Sequence, residues 1–169
     1  MKEYVVKVFK NKTQWYQNGL LHRDDGPAIE WADGGEMWFK NGEYHRGDGP
    51  AIEWINGTKS WWFNGKKHRD DGPAIEYANG DKAWYVDGFC HREDGPAIEY
   101  TNGHKAWWIN GERHREDGPA VVMANGNKEW WLNGNNYSES EFLSKTQPVK
   151  ELTVADIEKL LGHRVKVVK

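Results

Sequence analysis

The stretch His45–Lys67, HRGDGPAIEWINGTKSWWFNGKK, is one of five consecutive 23-residue blocks, which begin at His22, His45, His68, His91 and His114. A unit this short cannot enclose a core alone, so copies must stack and share one, and the body they build is elongated. Inside the block, Asn56-Gly57 and Asn64-Gly65 are each flanked by strand-favouring residues. Asx-Gly supplies the positive φ angles of a two-residue type I′ turn, which predicts two tight hairpins per copy. The other copies agree, with Asp33-Gly34, Asn79-Gly80, Asn102-Gly103 and Asn125-Gly126 at the first turn, and Asn41-Gly42, Asp87-Gly88, Asn110-Gly111 and Asn133-Gly134 at the second. The expected fold is mainly β: an antiparallel β-hairpin repeat array, as a single sheet or half-pipe, with a short C-terminal helical appendage.

Two-residue loops fix a register in which Ile52 faces Trp61, Trp54 faces Lys59, Ala51 faces Trp62 and Glu53 faces Ser60. Because side chains alternate across a strand, Ile52, Trp54, Trp61 and Phe63 then share one face, the expected core. Ala51, Glu53, Ser60 and Trp62 share the other. Proline lacks an amide donor, so the Gly-Pro-Ala segment cannot continue a central ladder, and HRxDGP is expected to be a corner between hairpins. Each copy then advances by two strand spacings, about 9 to 10 Å, which makes five copies on the order of 50 Å long.

Three segments follow: 1–21, 22–136 and 137–169. The first resembles a degenerate copy, with Trp15-Tyr16-Gln17-Asn18-Gly19 matching the later WWxNG, and is expected to cap the array. The second holds the five copies. In the third, Ser138 to Glu141 has capping-box spacing before a short helix that Pro148 should end. Thr153 caps a second helix carrying Val154, Ile157, Leu160 and Leu161 at helical spacing, with Gly162 as its stop. His163 to Lys169 alternates valine with basic residues, as an edge strand would. This tail is expected either to cover an open sheet end or to dock a partner.

The net charge of the 169-residue chain is −3, which argues against affinity built on neutralising phosphates and so disfavours nucleic acid. No apolar run reaches signal-peptide or membrane-span length, so a cytosolic protein is expected. The single cysteine, Cys90, occupies a position that is Tyr44, Lys67 or Arg113 in other copies and reads as an incidental small residue.

Two sets of residues invite a functional reading. The HRxD corners bring together His45, Arg46 and Asp48, then His68, Arg69 and Asp71, then His91, Arg92 and Asp94. Catalysis needs one well-formed site, whereas five equal ones argue for a structural role, with the histidine packed on an indole and the aspartate paired with arginine or with turn amides. Ligand binding at these corners is the alternative. Histidines one repeat apart are too widely spaced to share a metal ion, and neither metal nor cofactor is expected. The second set is the row Tyr16, Phe39, Tyr85, Trp108 and Trp131 with Trp62, alongside Glu30, Glu53, Glu76 and Glu99. Flat rings flanked by polar groups could anchor a protein surface or stack on a ligand, unless the sheet folds over and buries them.

The hairpin period, the spaced glycines and the run DGPAIEYANGDKAWYVDG at 71–88 resemble a MORN-type repeat, in the HRxDGPA variant of small bacterial and phage proteins. The resemblance covers residues 1–136, and the NGNNYSESEF ending at 133–142 is similar too. It implies a scaffold or binding role inside an infected bacterium. The HRxD insertion departs from the simpler pattern of such repeats, which weakens any transfer of lipid binding. The resulting expectation is a non-enzymatic protein that binds and modulates a host protein, as a phage accessory or counter-defence factor. A nucleotide- or sugar-sequestering protein is the alternative.

Overall fold

A computed structural model describes residues 3–147 and 152–166. Pro148, expected to end the first helix, and residues 167–169 of the expected terminal strand lie outside the described residues. The first hairpin of every copy joins one open, fourteen-stranded antiparallel sheet that runs from Val5–Val8 to Asn135–Tyr137. The second hairpins of the central copies stand off it as separate two-stranded ribbons, such as Trp62–Phe63 with Lys66–Lys67. Among the described residues, no helix is long and apolar enough to cross a membrane.

The two Asx-Gly turns are different structures. At the second turn, both residues are left-handed, Asn64 at φ 47° and Gly65 at 73°, which is the expected type I′ geometry. At the first turn, only Gly57 has positive φ, at 88°. There Gly57 N–H donates to the Trp54 carbonyl at 2.8 Å and Trp54 N–H donates to the Thr58 carbonyl at 2.9 Å, closing a three-residue loop with a glycine bulge. Asn56 serves it as an Asx turn, its Oδ1 accepting from Thr58 N–H at 2.9 Å.

The extra loop residue overturns the expected register. Ile52 pairs with Ser60 and Glu53 with Lys59, instead of with Trp61 and Ser60. A slip of one residue exchanges faces, so the expected core set fails: Ile52 is buried, but Trp54 and Phe63 are 46% and 48% exposed. The observed interior row crosses the sheet through Ile29, Met37, Ile52, Ser60, Ile75, Ala83, Ile98, Ala106 and Val121. The neighbouring row is charged and alternates Glu53, Lys59, Glu76, Lys82, Glu99 and Lys105, so opposite charges face one another across the strands.

Ser60 is the misfit of the interior row. It is buried, its hydroxyl has no hydrogen-bond partner among the described residues, and its counterparts are Ala83 and Ala106. Removing a buried hydroxyl that lacks a partner recovers its desolvation cost, so Ser60→Ala is expected to stabilise the fold by about 1 kcal/mol. A urea titration showing a lower midpoint for this variant would contradict that reading.

At the C-terminal end, α1 (Glu139–Thr146) carries the expected capping box between Ser138 and Glu141, and buries Phe142. Helix α2 (Val154–Leu161) is capped by Thr153 and stopped by Gly162 at φ 71°, as expected, but none of its residues is buried. His163–Lys166 forms no strand. The valines of the opposite edge, Val5–Val8, are exposed along their whole length.

Candidate functional site

Each HRxDGPA corner is a loop whose two ends are pinned to the backbone of one tryptophan. His68 N–H donates to the Trp61 carbonyl at 3.2 Å, and Trp61 N–H donates to the Ala74 carbonyl at 2.8 Å. The same pair of bonds recurs at Trp15, Trp38, Trp84 and Trp107. These tryptophans are the points where a strand leaves the main sheet for its second hairpin. The intervening loop has no ladder partner, so its arginine folds back and closes it.

The arginine is held on every side. The Arg69 guanidinium lies 4.0 Å from the Trp61 ring, Nε donates to Asp71 at 2.8 Å, and Nη1 donates to the Pro73 carbonyl at 3.3 Å and to Glu76 at 2.9 Å. Arg23, Arg46 and Arg92 repeat this set on Trp15, Trp38 and Trp84. Arg115 keeps Trp107, Asp117 and the Pro119 carbonyl, but Val122 stands in the glutamate position. The glycine of the motif is needed for space and not for φ: a Cβ on Gly72 would stand 3.1 Å from Arg69 Cζ. Sequence reasoning assigned the indole to histidine, whereas arginine occupies it; the ring contacts of His45 and His68 are instead with Phe63, at 4.6 and 6.5 Å.

The histidines tie successive copies together. Nδ1 of His22, His68, His91 and His114 accepts from the backbone N–H of Asn41, Asp87, Asn110 and Asn133 at 3.0 to 3.1 Å, and His45 accepts from Asn64 at 3.3 Å. In His68, accepting at Nδ1 places the proton of a neutral ring on Nε2, which lies 3.0 Å from Asp70, whereas Nδ1 of His22, His45 and His91 also lies 2.8 to 2.9 Å from the side-chain oxygens of Asn41, Asn64 and Asn110. The histidine, the arginine and the motif aspartate of each corner thus have structural tasks, and this set recurs in five copies, with the glutamate arm missing only from the last.

Hydrogen bonding from the arginine, followed by its positive charge, holds Asp48, Asp71 and Asp94 below the usual carboxylate range, and the same arginine contact lowers Asp117. A carboxyl whose folded pKa is depressed stabilises the fold above its unfolded value, near 3.9, and loses that contribution as pH falls through the lower folded value. The thermal midpoint is therefore expected to fall as the pH drops below about 4, and to fall less steeply in Asp71→Asn. Equal slopes for the two proteins would show that these pairs contribute nothing.

Successive corners enclose open grooves. One of about 600 Å³ lies between the corner Arg46–Pro50 and the corner at His68–Asp71, floored by Trp61 and Phe63. Its counterparts have Trp84 with Val86, and Trp107 with Ile109, as floors, and a smaller one adjoins Trp38. The sequence placed Trp61 in the expected core face, and none of Trp61, Trp84 and Trp107 among the candidate binding residues. Their signal was present: an invariant first aromatic of each pair, eight residues before an invariant arginine.

Of the other aromatic row, Phe39 borders the groove at Trp38, while Trp62, Tyr85, Trp108 and Trp131 line none of these four grooves. Phe39 is buried against Ile29, Met37 and Ile52, with Trp62 packed on the same cluster; Tyr16, Tyr85, Trp108 and Trp131 are half-buried. Cross-strand partners interleave them into one stack: Tyr44 lies 4.3 Å from Phe39 and 5.2 Å from Trp62, Lys67 Nζ lies over Trp62 and Tyr85, and Arg113 lies over Trp108 and Trp131. Cys90 fills the partner position opposite Tyr85, where burial pushes its thiol up to about 12. Glu53, Glu76 and Glu99, expected beside these rings, bind the corner arginines instead. No protein-family model matches the sequence, and no curated protein matches it.

Proposed function

We propose that this chain is a non-enzymatic, MORN-like protein-binding module whose partner lies along the row of corner grooves. The observation that supports this reading is the repetition itself: grooves of like composition recur in line, with rims of exposed carboxylate and floors of tryptophan, while the arginines and histidines behind them are engaged in holding the loops. Such a surface offers many equivalent contacts and no reacting centre. In the setting that the sequence resemblance implies, the partner is a protein of the bacterial host, and the chain acts on it as a phage accessory or counter-defence factor.

The test compares two surfaces. A groove variant, Asp70→Lys with Glu93→Lys and Glu116→Lys, and an aromatic-row variant, Trp62→Ala with Trp108→Ala, are each used to retain host proteins from a bacterial lysate. Loss of a stoichiometric partner only in the groove variant supports the proposal. Loss only in an aromatic-row variant that remains folded returns the interface to the row Tyr16 to Trp131.

A second reading, small-ligand sequestration, draws on the same grooves, because tryptophan, arginine and histidine line each of them. It predicts several equivalent sites, about one per groove, in calorimetric titrations with nucleotides and sugars. An absence of heat across such a panel would remove it.

A further inference from the structure

Resting on the protein-binding reading, we infer that the groove row takes an extended cationic segment of its partner, with one lysine or arginine side chain per groove at every third residue. The charge of the rims points to the sign. The corners at Arg23, Arg69 and Arg92 each carry three carboxylates, two paired with the guanidinium and a third beside the histidine: Asp25 and Glu30 with Asp24, then Asp71 and Glu76 with Asp70, then Asp94 and Glu99 with Glu93. Two surround Arg46, and two stand beside Arg115. In the charged row of the sheet the glutamates face Lys59, Lys82 and Lys105, and the motif aspartates face the arginines, so the acid left over at the corners is the residue after the arginine, such as Asp70, Glu93 and Glu116, in a chain that carries only −3.

The carboxylates are available. Asp70 and Glu93 are 91% and 87% exposed and line the grooves, and neither belongs to the set that fixes the arginine. The floors suit the stem of a basic side chain: Trp61 with Phe63, Trp84 with Val86, and Trp107 with Ile109 give the methylenes an apolar bed, with acceptors for the cationic head above it.

The spacing selects the backbone. Grooves recur once per repeat, which is two strand spacings or about 9.5 Å. A polyproline II chain rises about 3.1 Å per residue and turns once in three residues, so it advances about 9.3 Å and presents the same face at each groove. A β-strand ligand covers a similar distance in three residues, but its alternation would point every second basic side chain away. The repeat and the polyproline II turn therefore agree in both length and facing.

The experiment titrates the full chain with fluorescein-labelled peptides: four Arg-Pro-Pro triplets, the same composition with its arginines in one block, four Glu-Pro-Pro triplets, and spermidine as an unlabelled competitor. The spaced peptide is expected to bind at least about tenfold more tightly than the block, to weaken with salt, and to lose about tenfold or more when Asp70, Glu93 and Glu116 are changed to lysine. The neutralising set Asp70→Asn, Glu93→Gln and Glu116→Gln should lose less, and both variants should keep the parent thermal midpoint. Equal binding of spaced and blocked peptides, competition by spermidine at equal charge, or indifference to charge reversal overturns the inference. If no peptide binds yet the lysine variant still loses its host partner, the protein-binding reading stands and the cationic segment falls. If neither assay responds to the groove variant, both fall.

Discussion

Arg69→Ala is expected to lower the unfolding free energy by about 3 kcal/mol, because it removes charge-assisted hydrogen bonds and a cation–π contact from one loop at once. Asp71 and Glu76 lose their donor, the Pro73 carbonyl loses its own, and the Trp61 ring loses the group that covers it. The side chain is about one-fifth exposed, so solvent replaces these contacts only in part. Arg69→Lys should recover little, since an ammonium cannot reach two carboxylates and a carbonyl in one plane while stacking on an indole. The array supplies its own control. Arg115 has no glutamate partner because Val122 stands there, and Arg115→Ala should cost less than Arg69→Ala. Urea unfolding followed by tryptophan fluorescence measures both, and equal losses at the two positions would show that the glutamate arm adds nothing.

The sequence carried the repeat, its two hairpins, both helix caps and the loop character of the corner, because each rests on local chemistry: left-handed Asx-Gly, a donorless proline, a serine three residues before a glutamate. What it did not carry was the difference between two identical dipeptides. Asn56-Gly57 and Asn64-Gly65 both satisfy a type I′ turn, yet only the second adopts it, and the first uses asparagine as an Asx turn and glycine as a bulge. One residue of loop length then shifted every pairing in the first hairpin and exchanged its faces. The corner shows a related limit. That its arginine and aspartate pair could be read from spacing, but the Trp61 platform is set by a loop closing across eight residues of chain, and periodicity within a strand does not report that. Likewise the row Phe39 to Trp131 was recognisable as a row, whereas its position inside the bend depends on the strands parting at Trp38, Trp61, Trp84 and Trp107.

That parting makes the interior row thin, and its weakest span lies at the middle of the chain. Ile29, Met37, Phe39 and Ile52 form a cluster near the N-terminus, but Ile75 stands between Ser60 and Ala83, two small neighbours with little to move into a void. Ile75→Ala is therefore expected to cost about 3 kcal/mol, the cavity remaining largely unfilled. In a nearest-neighbour array, such a loss acts on the coupling between copies as well as on one copy, so the N-terminal and C-terminal parts should cease to unfold together. Urea titration should show a broadened or two-step transition for Ile75→Ala. Hydrogen exchange should find amides of the Ile29–Ile52 cluster still protected after those beyond Ala83 have opened. Val121→Ala, near the end where α1 buries Phe142, should shift a single transition without splitting it. A sharp, single transition in both variants would mean that the fourteen strands behave as one cooperative unit, with the continuous backbone ladder outweighing a local break in the row of side chains.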